Sequence, residues 1–358
     1  VNNRIKILIF TNELLTTCGV SKHLLYFLSE AKKREDVDFT ILCGGGDAID
    51  DYKSLCKEVI VSPVFKHENR SVINFIKAFL FLSKLLVKNK YHIIHSHTHY
   101  ADNIARLVSY FIKVRTLQTV HGIIEPIGKL NHYPSKYFIT VNEHVYDYLR
   151  KQKNKQTGNI KLIRNGISVP TNSMKTINKK LKIISAGRLI PEKGFDVFIQ
   201  AIRRLKKETL DKAEFLIGGK GDYELELKKL AAKLNVSINF IGELKELNYL
   251  LLSTNIFVIA SRSKSEGFPM TIIEAALNKN LILSSNFLGH DSILKDKINC
   301  LIFKVNDPND LSNKMEYAIE NYKDFNDLIE RIYDDARKNF SIDKMINETI
   351  SFYREILK

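Results

Sequence analysis

Short apolar runs, each followed by a longer segment with helical spacing, recur along this chain, and that alternation constrains the fold more than any other feature. IKILIF (5–10) precedes KHLLYFLSEAKKRE (22–35), DFTILC (38–43) precedes SVINFIKAFLFLSKLLVKN (71–89), and HIIHS (92–96) precedes NIARLVSYFIK (103–113). TLQTVHG (116–122) and YFITVN (137–142) add two further strands. Strands separated by helices of this length cannot pair as hairpins. Crossover connections lay them side by side in a parallel sheet, with helices covering both faces.

A second series starts beyond the polar stretches QKNKQTGN (152–159) and SVPTNSMKTINKK (168–180). Here KIISAG (182–187), EFLIGG (214–219), INFIG (238–242), IFVIAS (256–261) and LILSS (281–285) read as strands. FDVFIQAIRRLKKE (195–208), YELELKKLAAKLN (223–235) and PMTIIEAALNKN (269–280) read as helices, and more helices run from Asp310 onward. The expectation is an α/β chain of two doubly wound, Rossmann-like domains, 1–170 and 171–342. A length of 358 residues suits that count at about 150 residues per domain. No internal repeat is visible in the sequence.

The chain carries 55 Lys and Arg against 40 Asp and Glu, a net charge of +15. Residues 1–172 hold 25 and 14 of these, so +11 belongs to the first half and an anionic partner is expected there. Cys18, Cys43, Cys56 and Cys300 are scattered and form no Cys-x-x-Cys, which supports neither a disulfide framework nor a zinc ribbon. The opening VNNRIKILIF lacks a cleavage-site pattern, and the apolar stretch 72–87 is interrupted by Asn74, Lys77, Ser83 and Lys84. A cytoplasmic protein is expected. Helix 71–89 nevertheless combines Phe75, Ile76, Phe79, Leu80, Leu82 and Leu86 with Lys77, Lys84 and Lys88, a basic amphipathic pattern suited to an anionic membrane surface. No nucleic-acid-binding module is present in the basic half, so nucleic acid is not an expected partner.

Two segments carry the chemistry. In SKSEGFPMTIIEAALNKN (263–280), Glu266 stands in a loop after strand 256–261, followed by Gly267, Phe268 and Pro269 at a helix start. The first-turn amides near Met270 and Thr271 lack intrahelical acceptors and sit at the positive end of the helix dipole, which is a place for phosphate. Glu274 lies eight residues beyond Glu266, so the two carboxylates address different parts of one ligand. In SAGRLIPEKGFDVFIQAI (185–202), a strand ends at Gly187, and Arg188 and Lys193 follow before the next helix. Parallel sheets bind ligands at the carboxyl ends of their strands, and two cations there suit an anion. Taken singly, each of these residues would be an ordinary solvated side chain.

Together, SEGFPMTIIEA with AGRLIPEKG about 75 residues upstream resembles the family 4 glycosyltransferases of the GT-B fold. HIIHSHTHYADNIARLV and TLQTVHG (92–122) look like that family's His-rich strand end and Thr-x-His-Gly strand. IRNGI (163–167) looks like its Asn-Gly turn at the domain boundary, and FLIGGKGDYELEL (215–227) like its Gly-rich loop. The match spans nearly the whole chain in order. It implies two facing Rossmann-like domains, the first on the acceptor side and completed by 343–358, the second holding the donor. It implies that Glu266 contacts the donor sugar hydroxyls, with Gly267, Phe268 and Pro269 close by, and that Glu274 holds the ribose hydroxyls. Arg188 and Lys193 neutralise the departing diphosphate, and His121 approaches the donor sugar from the first domain. Gly19 offers its amide to the phosphates, and Gly187, Gly219 and Asn165 belong to the same donor site. The family usually has paired glycines in the first loop, where Thr17-Cys18-Gly19 supplies only one.

The activity so implied is retaining transfer of a hexose-type sugar from a UDP- or GDP-sugar to a glycan or lipid-linked acceptor. No cofactor is required, and no metal. The chain is read as lacking any Asp-x-Asp to hold a metal on the diphosphate, and cations with a helix N-terminus can do that electrostatic work. A non-hydrolysing sugar-nucleotide epimerase of the same architecture, or a non-catalytic sugar-nucleotide-binding subunit, is the alternative. Three further features are read as structural. His95, His97 and His99 alternate as a metal triad on one strand face would, but without a supporting carboxylate or cysteine. Gly44-Gly45-Gly46 reads as a flexible turn, and Gly218-Gly219-x-Gly221 carries weight only from its neighbours.

Overall fold

A computed structural model describes residues 4–123, 133–152, 159–168, 175, 179–243, 247–262, 270–287 and 293–358. The chain divides into one unit of Val1–Gly166 with Ile342–Lys358 and a second of Ile167–Ser341. In the first, chain order is β1 (Ile5–Phe10), α1 (Gly19–Ala31), β2 (Val37–Cys43), α2 (Ile49–Tyr52), β3 (Glu58–Val61), α3 (Val72–Lys88), β4 (Ile93–Ser96) and α4 (His99–Val108). It continues through β5 (Arg115–Val120), β6 (Tyr137–Thr140), α5 (Glu143–Gln152) and β7 (Ile160–Leu162). The second unit has β8 (Leu181–Ala186), α6 (Phe195–Ile202), α7 (Lys207–Leu210), β9 (Ala213–Gly218), α8 (Glu224–Lys233), β10 (Asn239–Phe240) and α9 (Leu247–Leu252). It ends with β11 (Ile256–Ile259), α10 (Met270–Leu277), β12 (Leu281–Ser285), β13 (Leu301–Phe303), α11 (Pro308–Glu320) and α12 (Asn326–Asn339). The last helix, α13 (Ile342–Leu357), belongs to the first unit.

Both sheets are parallel. Their orders are β3-β2-β1-β4-β5-β6-β7 and β10-β9-β8-β11-β12-β13, the same doubly wound pattern twice. Burial on both faces explains why β1 reads as an unbroken apolar run. Ile7 and Ile9 pack on one face with Leu24 and Phe27 of α1 and with Ile346, Ile350 and Tyr353 of α13. Leu8 and Phe10 pack on the other with Ala78 and Leu82 of α3 and Ile104 of α4. In the second unit Ile183, Phe215, Val258 and Leu283 meet Phe198, Leu227, Leu311 and Met315 of α6, α8 and α11. Each such side chain, fully buried, contributes about 1.5–3 kcal/mol.

Boundaries differ from the sequence reading where the apolar pattern runs past the hydrogen bonding. The units divide after Gly166 and Ser341 rather than at 170 and 342. Helix 195–208 is two pieces, because the backbone amides of Arg203, Arg204 and Leu205 close turns after α6 before α7 begins. Strand 238–242 narrows to the two residues of β10, and helix 103–113 is α4, starting earlier and stopping at Val108. The short elements β3, β7, β13 and α9 span too few residues to show a period. An Asp-x-Asp does occur in the chain: Asp36-Val37-Asp38 opens β2. It lies at the amino end of that strand, where Asp36 pairs with Arg34 and Arg354 and Asp38 with Arg4, away from the edge where such sheets take ligands. Among the described residues, no helix is long and apolar enough to cross a membrane.

Candidate functional site

Each sheet reverses its strand order once, between β1 and β4 in the first unit and between β8 and β11 in the second. The loops at the carboxyl ends of those strands form the ligand crevice of a doubly wound fold. Sequence-predicted residues collect at both places.

In the first unit, the loop after β1 leads to Gly19, the first helical residue of α1, whose amide has no intrahelical acceptor. The loop is held by Leu15 N donating to Ser21 Oγ (2.9 Å) and Thr16 Oγ1 donating to Asp47 (2.9 Å). Gly44-Gly45-Gly46 is not a flexible turn. Leu14 N donates to Gly45 O (2.9 Å), and a Cβ on Gly46 would stand 1.9 Å from Leu14 O, so the glycines let two loops meet. The alternating histidines do not act as one triad: β4 stops at Ser96, and each ring has partners of its own. His95 Nδ1 pairs with Tyr353 OH and Nε2 with Thr119 Oγ1, each at 2.7 Å. His97 Nδ1 instead meets His121 Nε2 at 3.1 Å, and His99 opens α4 beside Gln118 and Tyr133.

His121 therefore sits in an imidazole cluster, completed by His23 from α1 at a ring separation of 4.8 Å. Burial drives every member toward the neutral form. His23 is pushed down to about 4, a shift that the neighbouring Asn165 side chain opposes, and His95 to about 3 with help from His23. His97 and His121 lie well below the usual imidazole value through burial and then repulsion from the other histidines. Asn165, itself buried, is thus brought to this edge.

In the second unit, β8 ends into Gly187 and the exposed Arg188, and Lys193 closes a short 3-10 turn, Pro191–Lys193. Gly219 packs against this segment. Its φ is +136°, and a Cβ there would stand 1.8 Å from Gly187 O, so only glycine fits. Gly194, at φ +69°, likewise lets the turn touch the strand end after β11, since a Cβ would lie 2.0 Å from Ala260 O. Arg262 fastens the same turn. Its guanidinium donates to Pro191 O (3.0 Å), Asp196 Oδ2 (2.8 Å) and Asn306 Oδ1 (2.6 Å), and its backbone N donates to Glu192 O (2.9 Å). The Lys193 turn and the β11 exit are one knitted piece.

After that exit comes α10, with Met270 buried and Thr271 half-buried in its first turn. Glu274 is only 1% exposed, so it is not the solvated side chain that it would be if taken singly. The reason is that α10 packs on β11, β12 and α12, and its polar position faces inward with the rest. Glu266, Gly267, Phe268 and Pro269 lie outside the described residues. Sequence reasoning missed His23, Arg262 and Asp196. His23 and Asp196 stand on regular helical patterns, and Arg262 resembles any loop cation, so no local signal marked them.

Residues 17–169 match the family described as Glycosyltransferase Family 4, and residues 171–335 match Glycosyl transferases group 1. An Escherichia coli UDP-Gal:alpha-D-GlcNAc-diphosphoundecaprenol alpha-1,3-galactosyltransferase is 22% identical over 359 residues, covering 92% of both chains. A glycosyltransferase of Rickettsia africae superposes with a TM-score of 0.83 at 19% identity, covering 99% of each chain. The Anabaena protein HepE, solved in complex with UDP-glucose, does so with 0.81 at 16% identity, covering 98% of this chain and 100% of that one. With two Rossmann-like units in the order of those models and the motif residues at both strand edges, this chain belongs to the group 1, family 4 glycosyltransferases of the GT-B fold.

Proposed function

We propose that the chain moves a hexose from a UDP- or GDP-sugar to a lipid-linked or cell-surface glycan acceptor, with retention of anomeric configuration and without a metal. One observation carries the reading. Arg188 and Lys193 stand at the carboxyl edge where the second sheet reverses, on a turn fixed by Arg262 to the strand that leads into α10. Cations held there, with the first-turn amides near Met270 and Thr271, offset charge as a diphosphate departs. The acceptor hydroxyl forms the new C–O bond on the face the diphosphate leaves, the anomeric C–O bond to the phosphate breaks, and the hydroxyl proton passes to the departing phosphate oxygen. Glu266 and the backbone of Gly267, Phe268 and Pro269 orient the sugar, and Glu274 holds the ribose. Gly187 and Gly219 shape the phosphate-side turn. His121, Asn165 and Gly19 act from the first unit, His121 as a neutral imidazole.

The nucleotide choice draws on relatives: the Escherichia coli enzyme is named for UDP-Gal, and HepE was solved with UDP-glucose. The acceptor class draws on the diphosphoundecaprenol in the former name. The test is a donor screen with an undecaprenyl-diphosphate-linked sugar as acceptor, in EDTA, with the product's anomeric coupling read by NMR. Inversion, or a strict Mg²⁺ or Mn²⁺ requirement, would contradict it. Donor turnover that needs no acceptor would favour the epimerase instead.

A lipid-linked acceptor also calls for a membrane-facing surface. The apolar side chains that α3 leaves exposed are Val72, Ile73, Ile76, Leu80, Phe81 and Val87, with Lys77, Lys84 and Lys88 between them. These are not the residues the sequence pattern offered: Leu82 and Leu86 are buried, and Phe75 and Phe79 pack against the core, leaving Ile76 and Leu80 common to both. Tyr110 and Phe111, beyond α4, are exposed as well, and Phe111 meets Phe79 with ring centroids 5.8 Å apart. Exposed apolar residues edged by lysines suit the interface of an anionic bilayer. We assign the protein a peripheral place on the cytoplasmic face of the membrane.

A further inference from the structure

Of the histidines clustered at the edge of the first sheet, the transfer reaction proposed above uses His121 and gives His23 and His97 no role. His23 comes from α1, His97 from the exit of β4 and His121 from the exit of β5. Their ring centroids stand 4.8, 5.4 and 5.6 Å apart, close to an equilateral triangle. One ring nitrogen from each falls within 4.8 Å of the others, and the closest pair, His97 Nδ1 and His121 Nε2, is at 3.1 Å. Zn–N bonds of about 2.0–2.1 Å at tetrahedral angles put ligating nitrogens about 3.3–3.4 Å apart. Modest side-chain rotation closes the triangle onto one ion.

A second observation points to a ligand. His97 Nε2 is buried without a hydrogen-bond partner, in a residue only 4% exposed, while His23, 7% exposed, has the Asn165 side chain as its hydrogen-bonding neighbour. Buried polar nitrogens are seldom left unsatisfied, and one inside a histidine cluster marks a place that something fills. The packed elements bring Asn165 beside His23, and His95 beside His97 at a ring separation of 4.3 Å, already engaged by Tyr353 and Thr119. A donor set of three imidazoles suits Zn²⁺, Cu²⁺ or Ni²⁺ rather than Mg²⁺ or Ca²⁺, which want oxygen.

We propose that His23, His97 and His121 form a three-imidazole site for a divalent transition metal of the Zn²⁺ class, with the fourth position open. The triad is not the alternating one that the sequence displays, since only His97 is common to both. On the role given to His121 above, loading the site would draw that imidazole away from the donor, whereas binding itself rests on no reading of the reaction.

The test uses the untagged, EDTA-stripped chain and reads binding without turnover. Titration with Co²⁺ is expected to raise visible absorption of a tetrahedral site to one equivalent, and Zn²⁺ to displace it. His23→Ala and His97→Ala should each weaken binding at least tenfold, and His67→Ala, at an exposed histidine, should leave it unchanged. No visible band at saturating Co²⁺, or a band that survives in both buried variants, overturns the proposal. Should those variants fail to fold, zinc K-edge absorption on the wild-type chain counts imidazole ligands directly. Fewer than three overturns it as well.

Discussion

Arg188 and Lys193 are asked to stabilise charge that develops only as the donor bond breaks. Loss of a strong donor to such charge costs about 2.7–4 kcal/mol, or 10²–10³ in rate. Arg188→Ala and Lys193→Ala should therefore lower kcat by about that factor and leave the melting temperature near wild type, since Arg188 is exposed and Lys193 only half-buried. Steady-state kinetics with calorimetry decides it, and near-normal turnover in both variants would remove the assignment. The two carboxylates separate differently. If Glu266 orients the sugar beside the reacting carbon as proposed, Glu266→Gln should mainly lower kcat, because small misplacement there costs rate. If Glu274 holds the ribose as proposed, its contacts are alike in ground and transition states, so Glu274→Gln should mainly raise the donor KM. Both are measured with one identified donor; the opposite pattern would mean that the donor lies reversed. Because Glu274 is buried, its variant must also be shown to fold. That burial was not legible from spacing: position 274 continues the motif's period, but only the packing of α10 on β11, β12 and α12 decides which side faces in.

At the scale of elements, strands whose apolar runs extend over five or six residues in the sequence were readable, β4, β6 and β11 among them though each keeps only four residues in the sheet, and β3, β7 and β13 were not. β1 declares itself because both faces are buried. β7 holds only Ile160, Lys161 and Leu162, and a pattern that short is indistinguishable from loop. The glycines show a similar divide. Gly219 stands out in sequence, but the close approach to Gly187 O that demands it is tertiary. In α3 the period shows that the helix is amphipathic, while the exposed face depends on α4 and the sheet taking Ala78, Leu82 and Leu86. The prediction belongs to that face. Ile76→Asp combined with Leu80→Asp should reduce binding to anionic vesicles at low salt at least tenfold, and leave the melting temperature within a few degrees of wild type. Sedimentation with vesicles measures the first. Equal binding by variant and wild type would show that α3 is not the contact.

For the whole molecule, two-domain organisation was visible as two alternating series, and the site motifs as residues following strand ends. What sequence order concealed was the return of the chain. Bonds that fasten α13 reach back over more than 300 positions in the pairs of Asp36 with Arg354 and of Arg34 with Asn347. Asp36 has its carboxyl held below the ordinary carboxylate value, first by Arg34. Its unfolded form therefore binds protons at higher pH than the folded form does. The stabilisation is present above the ordinary carboxylate value and is lost as pH falls through the folded one. Asp36→Asn should thus lower stability at pH 7 by about 0.2–1 kcal/mol, discounted for its partly exposed partners, and the gap should narrow as pH is lowered from 7 to 3. Thermal unfolding of both forms at the two pH values checks this. A constant gap would show that the charge is not what matters.

The return of α13 has a consequence for synthesis. The first sheet needs Met345, Ile346, Ile350 and Tyr353 to cover one face of β1 and β2, and to supply the hydroxyl that holds His95. These residues leave the ribosome only after the whole of 167–341 has been made, a delay of roughly 9–35 s at 5–20 residues/s. The second unit, continuous in sequence, can close during that time. The first waits with Ile7, Ile9, Phe39 and Ile41 incompletely covered, so the nascent chain finishes its folding at the end nearest its beginning. That interval is when a chaperone has an apolar surface to hold.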